Sequence, residues 1–192
     1  PALLWAGLPP VQALATNKLQ GTFGTATAAF RFLRRGEIDW PDLRLPVLLT
    51  FAGAAVGTMA VQHLGSATLE RIVPGLLIVF ALYFLLSPRV GDVDAKQRIG
   101  HVTFGLSAGF GLGFYDGFFG PGTGSFFALA FVVLLGYNLR RATAGTKLLN
   151  FTSNLASLAF FAAAGDVAWL IGLPMGIAQI AGAPTAPSLP SR

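Results

Sequence analysis

Long apolar stretches separated by short polar clusters set the plan of the chain. An apolar piece over residues 1–8 stops at Gly7-Leu-Pro-Pro10, because consecutive prolines cannot continue a helix. Thr16 and Asn17 can cap free amides, so the next helix is expected to begin there and run to about Leu33. A basic loop, 34–44, precedes the apolar run Leu45 to Gln62 and a short link at 63–68. A further span covers 69–86, with Pro74 in its first turns, and a polar loop follows at 87–98.

From Ile99 to about Tyr115 the chain is apolar and rich in glycine, and it meets Asp116-Gly-Phe-Phe-Gly-Pro-Gly-Thr-Gly124. The apolar run after it, Ser125 to Gly136, is twelve residues long, short for a bilayer core of about 30 Å. A polar link over 137–146, a helix from Lys147 to Ala164, a turn at Gly165-Asp166 and a last span to about Gly182 complete the series. The Pro/Ser-rich residues 183–192 read as a disordered tail.

Composition agrees with that plan. The chain is 54% hydrophobic and 11% charged, too few charges to cover a water-soluble surface. The fold expected is therefore all-α, a polytopic transmembrane helical bundle in the bilayer. Its net charge of +5 does not indicate nucleic acid, since the basic residues lie in short loops and not along one face. Without cysteine there are no disulfides, thiolate metal sites or cysteine nucleophiles. His63 and His101 stand near opposite span ends without partners at ligand spacing, so no metal, cofactor or catalytic group is assigned. The start, Pro1-Ala-Leu-Leu-Trp, lies inside an apolar run with no basic leader, so the membrane domain over 1–182 is read as cut at its N-terminus.

Sliding the chain against itself by 129 positions aligns Ala15-Thr-Asn-Lys18-Leu19 with Ala144-Gly-Thr-Lys147-Leu148. The same offset aligns Gly7 with Gly136, Phe32 with Phe161, Gly36 with Gly165, Glu37 with Asp166 and Trp40 with Trp169. A duplicated unit follows, with repeat 1 over about 1–64 and repeat 2 over about 99–182. Arg34 and Arg35 follow the helix of the first copy, whereas Arg140 and Arg141 precede that of the second. With Lys/Arg-rich loops kept in the cytoplasm, the two copies come out inverted. Inverted repeats with interrupted helices are a plan of secondary transporters, which bind solute where the halves meet.

The candidate site follows from that plan. Lys18 and Lys147 are expected in the first turns of equivalent helices, beside Thr16, Asn17 and Thr146. Free amides, a positive dipole end and an ammonium group together make an anion site. Gln20 in one copy, and Asn150, Ser153 and Asn154 in the other, are polar residues inside spans, which face a neighbouring helix or a ligand. The break at Gly120, Gly122, Thr123 and Gly124 lacks the Gly-Lys-Ser/Thr ending of a nucleotide loop, and leaves backbone amides free to meet a solute. Asp116, just before it, is the candidate for coupling to a proton, with sodium the alternative coupling ion. Gly105, Gly109, Gly113 and Gly117, spaced by four, predict a helix-packing face.

At these residues the sequence resembles the sulfite exporter TauE/SafE family, the probable membrane transporter proteins of the 4-toluene sulfonate uptake permease group. The resemblance rests on Pro10 to Gln20, on Gly113-Phe-Tyr-Asp-Gly-Phe-Phe-Gly-Pro-Gly-Thr-Gly124, and on Lys147-Leu-Leu-Asn-Phe-Thr-Ser-Asn154. It implies a multi-pass carrier of the cell (inner) membrane that moves sulfite, sulfonates or related organosulfur or carboxylate anions. Its partners would be the lipid bilayer, a small anionic solute and other copies in a homo-oligomer. Two departures bear on activity: a glycine-rich segment ahead of the first Ala-Thr-Asn-Lys stretch is missing, and the family continues where this chain has its Pro/Ser tail. A truncated inactive carrier and a non-transporting membrane scaffold are the alternatives. An enzyme is not expected, since no converging His, Ser or acid set lies in the spans.

Overall fold

In the computed structural model, residues 2–64 and 96–182 are described, with four isolated positions between them. The expected span 69–86, most of the loop 87–98 and the tail 183–192 lie outside the described residues. Those described form helices joined by short turns: α1 (Ala2–Trp5), α2 (Pro10–Arg34), α3 (Trp40–Gln62), α4 (His101–Phe104), a π-helical turn (Gly105–Gly109), α5 (Phe110–Phe118), α6 (Thr123–Leu135), α7 (Leu139–Ala164) and α8 (Trp169–Gly182). Among the described residues the chain is all-helical. Among the described residues one helix, α3, is both long and apolar enough to cross a membrane; α6 and α8 are shorter apolar helices.

Three helices start earlier than expected, by about one and a half to two turns. Helix α2 begins at Pro10 and not at Thr16, because proline at the first helical position lacks only an amide that would be unpaired there, and its fixed φ suits the helix. Helix α7 begins at Leu139 and not at Lys147, because Asn138 caps it, its side chain accepting from the Arg141 amide at 2.9 Å. Lys18 and Lys147 therefore stand within their helices, away from the free N-terminal amides. Helix α3 likewise starts earlier than the apolar run, at Trp40, with Pro41 and the acid Asp42 in its first turn.

Charged contacts place the elements end to end. At one end Arg140 grips Glu37 through two hydrogen bonds, at 2.8 and 3.1 Å. Arg141 reaches Asp39 and Asp42, and His101 reaches Asp42 and the Tyr137 hydroxyl, the latter at 2.9 Å. At the opposite end the Thr16 hydroxyl accepts from the Ala168 amide at 3.2 Å, and Gln62 donates to Asp166 at 3.1 Å. Helices α2 and α7 thus run antiparallel.

Residues 101–135 form a helical hairpin. The chain leaves the Arg140 end at His101, turns at Phe119–Gly122, and returns to Tyr137 beside His101; the Arg98 and Ile99 amides both donate to the Leu134 carbonyl. At about 1.5 Å per residue, the 13 residues of α6 span roughly 20 Å, so its tip ends inside the bundle. Phe104, Phe127, Phe131, Leu135 and Leu149 bury the base of the hairpin, with the Phe104 and Phe131 rings 4.8 Å apart. Leu19, Val61, Phe161 and Val167 form a second core at the far end.

The glycine face expected on 105–117 packs against α3. A Cβ at Gly113 or Gly117 would overlap the Thr50 or Ala54 carbonyl, and one at Gly53 or Gly57 of α3 would overlap the Phe110 or Phe114 carbonyl. Close approach brings hydroxyls to backbone: Thr50 donates to Gly109 O at 3.1 Å, and Thr58 to Gly117 O at 3.3 Å. On the outside, Leu48, Phe51, Val56 and Met59 of α3 and Leu170, Leu173, Ile177 and Ile180 of α8 are exposed.

Candidate functional site

The tip of the hairpin meets the middles of α2 and α7. Gly120 and Gly122 carry φ values of +98° and +81°, a region that L side chains rarely adopt. Tyr115 fixes the turn by donating to the Pro121 carbonyl at 2.5 Å.

Asp116, expected at a span end, lies in the interior. Both it and Lys18 have side chains 3% exposed, and the ammonium stands 3.0 Å from Asp116 Oδ1; Lys18 also donates to the Asp116 carbonyl. The Thr123 hydroxyl donates to Oδ1 at 2.8 Å and the Ser153 hydroxyl to Oδ2 at 2.5 Å. Buried charges are tolerated when paired and hydrogen-bonded in this way. A side chain at Gly120 would crowd the pair, since a Cβ there would stand 3.0 Å from Lys18 Nζ and 3.2 Å from Asp116 Oδ1, and its φ of +98° would strain any other residue.

A second group lies along α7. Thr146, Lys147, Asn150, Ser153 and Asn154 recur at three- and four-residue spacing, so Asn150 shares a face with both Thr146 and Lys147. Asn154 donates to the Asn150 carbonyl at 2.7 Å and to its side-chain oxygen at 3.0 Å, leaving Asn150 Nδ2 directed at Gly124 in the first turn of α6. Thr146 is 4% exposed and its hydroxyl has no hydrogen-bond partner among the described residues. Lys147 is half-buried, and no described carboxylate pairs with it.

Lys18 and Lys147 therefore differ in their surroundings. Lys18 is paired with Asp116, whereas Lys147 has no carboxylate partner among the described residues and lies on α7 next to Thr146 and one helical turn before Asn150. Of the remaining sequence candidates, Thr16 is committed to Ala168, Thr123 to Asp116 and Gly120 O, and Asn17 is exposed away from the tip. Gln20 is half-buried on α2. Sequence reasoning missed Gly21, where α2 passes so close to α7 that a Cβ would stand 2.9 Å from Asn154 Oδ1. Among the described residues no group of three His, Cys, Asp or Glu could hold a metal.

The family model "Sulfite exporter TauE/SafE" matches residues 1–192. The chain is 46% identical over 183 residues to a probable membrane transporter protein of Haemophilus influenzae, covering 95% of this chain and 72% of that protein. It is 47% identical to the probable membrane transporter protein YfcA of Escherichia coli K12, covering 95% and 68%. A probable membrane transporter protein of Sinorhizobium, ORF9, is 46% identical over 95% of this chain and 70% of its own length. No solved structure matches.

Proposed function

The chain belongs to the sulfite exporter TauE/SafE family, and from that membership and the donor set on α7 we propose that it is a secondary transporter of small anions. Its solutes would be sulfite, sulfonates or related organosulfur or carboxylate anions, carried across the cell (inner) membrane by a multi-pass bundle. The relatives' names as membrane transporters support the carrier class; the exposed apolar residues of α3 and α8 suit contact with lipid.

The observation that carries the reading is that α7 places the half-buried Lys147, without a described carboxylate, next to Thr146, whose hydroxyl has no partner among the described residues, and one helical turn before Asn150. Donors without acceptors suit a solute that brings acceptor oxygens. The sulfur oxyanions carry such oxygens in a compact, charged group. The start of α6 adds a dipole end of the same sign.

Inverted repeats give the alternating-access frame. Helices α2 and α7 start 129 residues apart, as do α3 and α8, and they are antiparallel. Gly7 and Gly136 have φ of +85° and +70°, and Gly36 and Gly165 of +66° and +79°, so the paired turns share a backbone form. Every described Lys and Arg except Lys18 and Lys147 lies toward the Arg140 end, which would face the cytoplasm.

The test is solute flux in proteoliposomes, comparing the wild type with Lys147→Ala over sulfite, methanesulfonate and a carboxylate. Loss of affinity in the variant is the expected outcome. Unchanged flux and affinity would remove Lys147 from the mechanism.

A further inference from the structure

Asp116 joins three elements through one carboxylate. Lys18 comes from α2, Thr123 from the start of α6 and Ser153 from α7. The hairpin tip is thereby tied to both long helices. Among the described residues no other charge faces Asp116: Tyr115, its neighbour on α5, is engaged with the Pro121 carbonyl, α3 offers the Thr50 and Thr58 hydroxyls, and Lys147 lies nearly two turns away along α7. Gly120 and Gly122, both at positive φ, flank the tip and supply backbone that can swivel when the tie is released.

Resting on the carrier reading above, we infer that the Lys18–Asp116 pair is a proton-operated latch on the hairpin tip, so that protons move together with the anion. The step is a simple protonation: the carboxylate takes one proton and becomes a carboxylic acid, with no covalent change in the solute. Lys18 keeps its charge throughout. Once Asp116 is neutral, Lys18 loses its counter-charge and becomes a second cation that draws an anion toward the tip, while the Coulomb hold on the tip disappears. The Ser153 hydroxyl can rotate from donor to acceptor and keep the new O–H satisfied.

The same geometry selects a proton over sodium. A sodium ion at Asp116 would share the carboxylate with an ammonium 3.0 Å away and meet like-charge repulsion. A proton neutralises the acceptor and meets none. Anion release and deprotonation then restore the pair, closing the latch for the return.

The experiment uses the whole protein in liposomes with a luminal pH dye, the membrane potential clamped, and methanesulfonate, which stays ionised across the working range. Expected are luminal acidification with methanesulfonate entry, entry raised several-fold by an inward proton gradient, and no response to a sodium gradient. Asp116→Asn should still exchange the anion across a pre-equilibrated membrane but lose the response to the proton gradient. Entry without acidification, entry driven by sodium, or an Asp116→Asn protein that still answers the proton gradient would each overturn the latch and leave the carrier reading standing. The wild-type dye signal decides the matter even if the variant does not fold. Failure of the wild type to carry either methanesulfonate or sulfite would instead overturn the carrier reading, and the latch with it.

Discussion

Lys18 of α2 and Asp116 of α5, 98 residues apart, hold each other at 3.0 Å with side chains almost closed to solvent. Removing one partner leaves the other charge buried and alone. Lys18→Met or Asp116→Leu alone should therefore cost about 3–5 kcal/mol, whereas the double replacement should be neutral or stabilising. Unfolding measurements on the four proteins of that double-mutant cycle, in one detergent, check the prediction. Additive losses would mean that the pair is not coupled.

The glycines at the α3–α5 crossing predict a sharp positional contrast. Gly57→Ala puts a methyl group onto the Phe114 carbonyl, and Gly117→Ala puts one onto the Ala54 carbonyl. Each should destabilise by about 1–3 kcal/mol, the cost of overpacking. Gly111 lies on the same helix with open space around its Cβ position. Gly111→Ala should stabilise by about 0.5–1 kcal/mol, because alanine loses less chain entropy in a helix. Melting temperatures of the three variants, in opposite directions, are the readout.

How much of this was legible in the sequence depends on the range of the interaction. The four-residue glycine spacing acts locally, and the packing face of 105–117 follows from it; the clasp of Arg140 on Glu37, 103 residues apart, does not. Helix starts were misplaced because Thr16 and Asn17 look like caps, while Pro10 and Asn138 are the residues that act at the ends. That error put both lysines at helix termini. The Lys18–Asp116 pair had no sequence signal, since nothing local relates residues so far apart. Gly53 and Gly57, also four apart, could have been read as the partner face of Gly113 and Gly117. The partnerless state of Thr146 depends on what packs around it and has no pattern at all.

Acid should weaken the charged end of the bundle in a defined window. The Arg140 guanidinium, hydrogen-bonded to both oxygens, holds Glu37 below its ordinary value of 4.5; the field of Arg35 adds to this and burial opposes it. A depressed carboxylate contributes stability that is fully present above its unfolded value and is lost as pH falls through the folded one. Stability from this contact should thus be level above pH 4.5 and decline below it. Arg140→Met should flatten that decline in melting curves taken from pH 6 down to about 3. Since the Arg140 side chain is 68% exposed, the difference should also shrink in high salt.

Thr146 separates a structural role from a binding role. Its hydroxyl is buried without a described partner, so the folded state bears a desolvation cost for a hydrogen bond that is not made. Valine has nearly the same shape and no hydroxyl. Thr146→Val should therefore leave stability unchanged or raise it by up to about 1 kcal/mol, the reverse of the usual result for a buried polar contact. If the hydroxyl is held in reserve for the oxygen of a bound anion, the same change should weaken binding by a hydrogen bond's net worth, about 0.5–1.5 kcal/mol, or roughly two- to ten-fold. Thermal stability without solute, and sulfite or methanesulfonate affinity in the same preparation, give the two signs independently. A loss of stability together with unchanged affinity would show that Thr146 bonds within the protein and takes no part in holding the solute.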